Sequence, residues 1–197
     1  RDREGVRGAR SVPVLMCRHD VDGRLVIVLH DPEVPRVFGR ARRMEDQRAG
    51  TRALRLALAT SGITQQREAI SISHTEGSAA ALVSAGGRMI GVDLVVVARV
   101  TERHASAVLT RQDWVALEAI PLALRPALGW AMKEAAAKAT GAAQHYFPTR
   151  IRLLATRARG LTGAQLADAT GTTFDGDWLL FGGLLCATVV ENVALPS

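Results

Sequence analysis

Short β-branched runs separated by stretches of helical period organise this chain. Val12–Arg18 and Arg24–His30 are apolar runs joined across Asp22-Gly23, a pair that favours a tight hairpin. From Arg40 to about Ala59 the period lengthens to that of a helix, with Leu54, Ala57 and Leu58 on one side and Gly62 as its stop. Ala69–His74, Ser78–Ala85 and Arg88–Ala98 read as strands, the last two joined through Gly86-Gly87. A helical segment over Arg111–Ala119 is broken by Pro121, and a longer helix from about Leu124 to Thr140 is closed by Gly141. Ile151–Thr156, Trp178–Phe181 and Leu184–Val193 supply the last strands. Residues 157–176 read as loop, with room for one short helix over Gly163–Ala169.

Strands, helix, strands is thus the order of elements twice over. That order predicts an α+β fold made of two similar α/β halves, residues 1–87 and 88–197, arranged as a pseudo-dimer. A cleft between two such halves is a common place for a ligand. The sequence itself contains no detectable internal repeat, so the duplication rests on the order of elements alone.

Composition narrows the class. With 197 residues, 48% hydrophobic and 22% charged, the chain is long enough to bury a core and is not of the disordered type. No apolar run approaches the roughly 18 residues of a membrane span, and Arg1–Arg10 lack the apolar region of a signal peptide. Cys17 and Cys186 have no metal-ligand spacing. Reduced cysteines and a cytoplasmic location are therefore expected, with no membrane partner.

A net charge of +6 favours acidic partners. Arginines crowd residues 36–55, where Arg36, Arg40, Arg42, Arg43, Arg48, Arg52 and Arg55 meet only Glu45 and Asp46. Such a run is either a solvated face or an anion-binding surface. Nucleic acid is disfavoured as the partner by the 4% aromatic content and the lack of a zinc or helix-turn-helix signature.

Lysine is used only twice, at Lys133 and Lys138, while the remaining basic residues of the 25 are arginine. On a helix, Glu134 and Lys138 share a face, so the segment is either one solvated ion pair or a place where a compact ammonium group is required. Asp93 sits inside the apolar run Met89–Ala98. An ionised carboxylate there needs compensation, either from a neighbouring turn or as an oxygen ligand for a hard cation such as Mg²⁺, with Glu134 a second ligand. His74 closes a strand in phase with Ile70 and Ile72. Beside Ser73, Thr75 and Gly77 it is either a core histidine or a phosphate contact.

Three of these segments in order, Ser71-Ile-Ser-His74-Thr, Gly91-Val-Asp93-Leu and Trp130-x-x-Lys133-Glu134-x-x-x-Lys138-Ala-x-Gly141, resemble the 4′-phosphopantetheinyl transferase superfamily. Val108-Leu-Thr110-Arg-Gln-Asp113-Trp is similar to a further short motif of that family, and Leu184–Val190 to its last strand. The length and the Ser-His motif look like the family's fused, double-length form; Gly91–Val100 and Trp130–Gly141 look more like its short form, which activates fatty-acid carrier proteins. Where the fused form carries a second acid, this chain has Val95. Ile63-Thr-Gln-Gln-Arg67-Glu stands in place of the usual Gly-Lys-Pro loop.

The resemblance implies the family's pseudo-dimeric fold with its active site between the halves. It also implies the activity of a holo-[acyl-carrier-protein] synthase. Phosphopantetheine would pass from coenzyme A to a serine of an acidic acyl or peptidyl carrier protein in polyketide or fatty-acid biosynthesis, leaving 3′,5′-ADP. Asp93 and Glu134 would hold Mg²⁺, with Lys138 on a phosphate oxygen and Glu134 or a metal-bound water as base. His74 and Ser73, with Arg40 or Arg43, would bind the 3′-phosphate. Lys133 would pair with Asp113 and steady the helix, and Arg99, Arg103 and Arg111 would face the carrier. Two fused halves would suffice as a monomer. The alternative is a catalytically weak carrier- or coenzyme-A-binding module, such as a C-terminal domain of a larger synthase.

Overall fold

A run of antiparallel pairings builds the first sheet. In the computed structural model the described residues are 14–15, 24–30, 40–61, 68–85, 87–141, 150–156 and 163–192. Val14–Leu15 (β1), Arg24–His30 (β2), Glu68–Thr75 (β3) and Ser78–Ala85 (β4) form a sheet of order β1-β2-β4-β3. The turn predicted at Asp22-Gly23 lies outside the described residues, although β1 and β2 do pair antiparallel. Thr75 faces Ser78, so β3 and β4 turn through Glu76-Gly77, whose φ angles of 42° and 82° are both left-handed. That is the twist a two-residue hairpin favours, and it gives Gly77 a conformational role.

The second sheet has the order β5-β9-β8-β7-β6, built from Ile90–Val96 (β5), Arg152–Thr156 (β6), Ala164–Ala167 (β7), Thr173–Phe181 (β8) and Leu184–Glu191 (β9). The stretch expected as a short helix over Gly163–Ala169 is instead β7. Its Ala-Gln-Leu-Ala residues favour helix, but β6 and β8 flank them and complete the ladder, with Ala164 opposite Gly176 and Ala164 and Leu166 buried. Tertiary pairing overrides a weak local preference. β4 and β5 follow one another along the chain as expected, but they belong to different sheets. Between them the chain leaves the first sheet for the second, and Gly86 lies outside the described residues.

Helices cover the outer faces. Arg40–Ser61 (α1) lays Ala49, Ala53 and Ala57 on Ala79, Ala81 and Val83 of β4. The alternate residues of β4, Ala80 and Leu82, point the other way and pack with Ile90, Val92 and Leu94 of β5 and Leu184, Cys186 and Val190 of β9. Arg125–Ala139 (α4) covers the far side of the second sheet with Leu128, Ala131, Met132, Ala135 and Ala136. Its alanine content favours helix, Pro126 starts it and Gly141, at φ 67°, ends it. Two short helices, Glu102–Ala105 (α2) and Arg111–Ala116 (α3), pass between β5 and α4 along the chain. The layers therefore run α1, first sheet, second sheet, α4. Among the described residues, no helix is long and apolar enough to cross a membrane.

Candidate active site

Period-two alternation decides what each face of β5 meets. Ile90, Val92 and Leu94 point into the core between the sheets, which leaves Gly91, Asp93 and Val95 on the other face. Gly91 lets the helix come close: a Cβ there would stand 1.8 Å from the Ala135 carbonyl oxygen. This contact brings the last turns of α4 down onto β5. Sequence reading placed Gly91 in a motif but assigned it no task.

Lys138 is the result. From the last turn of α4 its Nζ reaches Asp93 Oδ1 at 2.7 Å and donates to the Val92 carbonyl at 3.1 Å. Lysine at a helix C-terminus is also favoured by the helix dipole. One turn earlier on the same face stands Glu134, half-buried, which makes no hydrogen bond or ion pair with a described residue. Burial raises its carboxyl above the usual 4.5, the Asp93 charge raises it further, and Lys138 opposes both.

Asp93 has a third neighbour, from the first sheet. Ser73 Oγ donates to Asp93 Oδ1 at 2.8 Å and accepts from the Leu94 N–H at 3.1 Å. Ser71 Oγ accepts from the Val92 N–H at 3.0 Å. β3 and β5 are edge strands of their sheets, so these two hydroxyls satisfy backbone donors that no ladder reaches. The signal was present in the sequence: Ser71 and Ser73 alternate with Ile70 and Ile72, which marks a polar face meeting a polar partner.

The same alternation parts Ser73 from His74. Ser73 is buried at 5% exposure toward β5, whereas His74 points to the α1 side with Ile72, its Nδ1 3.8 Å from Asp46 Oδ2. The structure does not bring Ser73 and His74 to one surface. Arg40 opens α1 and Arg43 lies in its first turn. The side chains of Arg40 and Arg43 lie outside what the structure describes.

Lys133, on the opposite side of α4, is fully buried. It donates to Asp113 Oδ2 at 2.5 Å and to the Val108 carbonyl at 2.8 Å. Asp113 also caps α3, accepting from the Thr110 N–H and hydroxyl, and its Oδ1 takes the Leu153 N–H of β6 at 2.8 Å. This one carboxylate therefore ties α3, α4 and β6 together. Burial pulls the Lys133 amine below its ordinary value, and Asp113 partly restores it.

Arg99, Arg103 and Arg111 are exposed along the segment after β5. Arg99 Nε pairs with Glu76 Oε1 at 3.1 Å, which links the β3–β4 turn to the second sheet. A groove between α3 and β6, lined by Gln112, Val115, Glu118 and Leu154 among others, includes none of the Asp93 cluster.

Residues 89–189, just over half of the chain, match the family model described as the 4′-phosphopantetheinyl transferase superfamily. The chain belongs to that superfamily. The match contains Asp93, Asp113, Lys133, Glu134 and Lys138, while Ser73, His74, Arg40 and Arg43 precede it. No curated protein matches the chain. Phosphopantetheinyl transfer is the chemistry of this superfamily, whose members work on coenzyme A and carrier proteins and typically with Mg²⁺.

The donor set suits such a cation. Asp93 and Glu134 offer oxygen alone, and Asp93 Oδ2 receives no hydrogen bond from a described residue. Among the described residues, no three His, Cys, Asp or Glu side chains cluster. Two carboxylates match the way Mg²⁺ is held when substrate phosphates and water complete its shell.

Proposed function

We propose that the chain moves the 4′-phosphopantetheine arm of coenzyme A to a serine hydroxyl of an acyl or peptidyl carrier protein. The observation that carries this reading is the convergence of Asp93, Glu134 and Lys138 where α4 meets β5. The serine oxygen attacks the phosphorus that bears the pantetheine arm. The bond from that phosphorus to the bridging pyrophosphate oxygen breaks, and 3′,5′-ADP leaves. Mg²⁺ bound by Asp93 and Glu134 would neutralise charge on the pyrophosphate. Lys138, partly exposed beside Asp93, touches a phosphate oxygen while keeping the carboxylate in place. The serine proton passes to Glu134 or to a water held at the cation site.

The remaining assignments follow the same plan. Residues 1–87 and 88–197 act as the two halves of a pseudo-dimer, sufficient as a monomer or as a domain of a larger synthase, with the substrate between them. His74, Arg40 and Arg43 contact the 3′-phosphate. Arg103 and Arg111, with Arg99 once it parts from Glu76, receive the acidic carrier in the cytoplasm. Val95 favours one other reading. It is buried on the Asp93 face, where the fused form has a second acid, as expected of a module that binds a carrier without modifying it.

Incubation with coenzyme A, Mg²⁺ and apo carrier proteins separates the two readings by intact mass. A mass gain equal to the phosphopantetheine arm, absent with EDTA and in Glu134→Ala, supports the transferase. Carrier binding without a mass gain on any carrier supports the module.

A further inference from the structure

Asp93 is the meeting point of two parts of the chain that share no hydrogen-bonded ladder. Its Oδ1 accepts from Lys138 Nζ of the second half and from Ser73 Oγ of the first, at 2.7 and 2.8 Å. A serine hydroxyl has one proton to donate. Here that proton goes to Asp93, while a lone pair of the same oxygen takes the Leu94 N–H, and the side chain is 5% exposed. Little of Ser73 is left to offer a phosphate. Two donors converge on one carboxylate oxygen and leave Oδ2 as the oxygen that no described residue engages.

We infer that Ser73 is a positioning residue for the metal ligand Asp93, so that the first half completes a cation site whose ligands both lie in the second. This rests on the transferase reading above. Hydrogen bonds of this kind fix the orientation and basicity of a ligating carboxylate, and their loss typically lowers metal affinity roughly 10–100-fold. The structure contains an internal control. Ser71, two residues earlier on the same face of β3, makes the equivalent bond to the Val92 N–H but has no hydrogen bond to Asp93. Removing either hydroxyl strips one backbone donor of β5 of its partner, yet only one of the two touches the carboxylate.

The test is Mn²⁺ binding followed by electron paramagnetic resonance, with and without coenzyme A, on the full chain and on Ser73→Ala, Ser73→Thr and Ser71→Ala. Ser73→Ala is expected to weaken Mn²⁺ binding about tenfold or more. Ser71→Ala should stay within about twofold of the parent protein, because it leaves the carboxylate's own partners in place. Ser73→Thr, which keeps a hydroxyl, is expected to restore most of the affinity. A parallel comparison of coenzyme A with 3′-dephospho-coenzyme A reads the competing role. If Ser73→Ala binds Mn²⁺ as the parent does, or loses preference for the 3′-phosphate instead, the inference is overturned. If Ser71→Ala weakens Mn²⁺ as much as Ser73→Ala, the effect belongs to the sheet contact and the inference also falls. A parent protein that binds no Mn²⁺ and modifies no carrier would overturn the transferase reading itself.

Discussion

Gly91 of β5 and Ala135 of α4 touch so closely that a Cβ on Gly91 would lie 1.8 Å from the Ala135 carbonyl oxygen. The obstacle is helix backbone, which cannot rotate aside as a side chain can. Gly91→Ala must therefore lift α4 from β5, separating Lys138 and Glu134 from Asp93. Overpacking usually costs about 1–3 kcal/mol, and this contact belongs at or above the top of that range. Urea denaturation is expected to show that loss, accompanied by loss of carrier modification in whatever fraction remains folded.

Lys133→Ala leaves Asp113 buried without its cation, and removal of one partner from a buried pair costs about 3–5 kcal/mol. The folding midpoint should fall accordingly. Because Lys133 contacts neither Asp93 nor the proposed cation, turnover per folded molecule should fall far less than stability. A stability loss below about 1 kcal/mol would show that the pair contributes little to the fold.

The raised Glu134 carboxyl sets a pH dependence. In the window between 4.5 and its folded value, the folded state binds more protons than the unfolded state, so stability falls as pH rises. Glu134→Gln removes that dependence. Without metal, the variant should match the parent below pH 4.5 and be the more stable of the two at neutral pH. Added Mg²⁺ should narrow the gap by stabilising the parent alone. Thermal denaturation from pH 4 to 8 reads both effects, and a variant less stable at neutral pH would contradict the assigned shift.

Lys138→Met keeps the length of the side chain and removes the ammonium group from Asp93 Oδ1 and the Val92 carbonyl. Loss of one preorganised charge contact in an active site typically costs roughly 10²–10³ in kcat. A decrease of that size in carrier modification is expected at saturating coenzyme A. An unchanged kcat would move Lys138 from the chemistry to helix packing.

Charge reversal at Arg103 and Arg111 should act on encounter. kcat/KM for an acidic carrier is expected to fall roughly tenfold at low salt, with kcat little changed. The deficit should shrink as ionic strength shortens the range of the interaction. A loss insensitive to salt would place the carrier elsewhere.

Most elements were legible because their causes are local. Arg40–Ser61, Arg125–Ala139 and the strands flanking Glu76-Gly77 follow from periodicity, alanine content and left-handed glycines at turns and helix ends. β7 was not legible, since Ala164–Ala167 is too short for its alternation to outweigh helix-favouring residues. Its identity comes from the strands on either side. Asp93, Glu134 and Lys138 could be named in advance because an isolated carboxylate in an apolar run and two rare lysines stand out as residue types.

Which atoms those residues would share was a different matter. The sequence by itself determined most of the elements, the net positive charge and the family, since each depends on residues near one another in the chain, on composition or on motif order. Tertiary structure alone decided that Ser73 serves Asp93 while His74 faces α1. It also decided that Gly91 sets the height of α4, and that Asp113 joins three elements. Ser73 and Asp93 are 20 residues apart, and Gly91 and Ala135 lie on different elements. Contacts of that kind depend on how sheet edges and helix faces pack, which no local pattern of residues encodes.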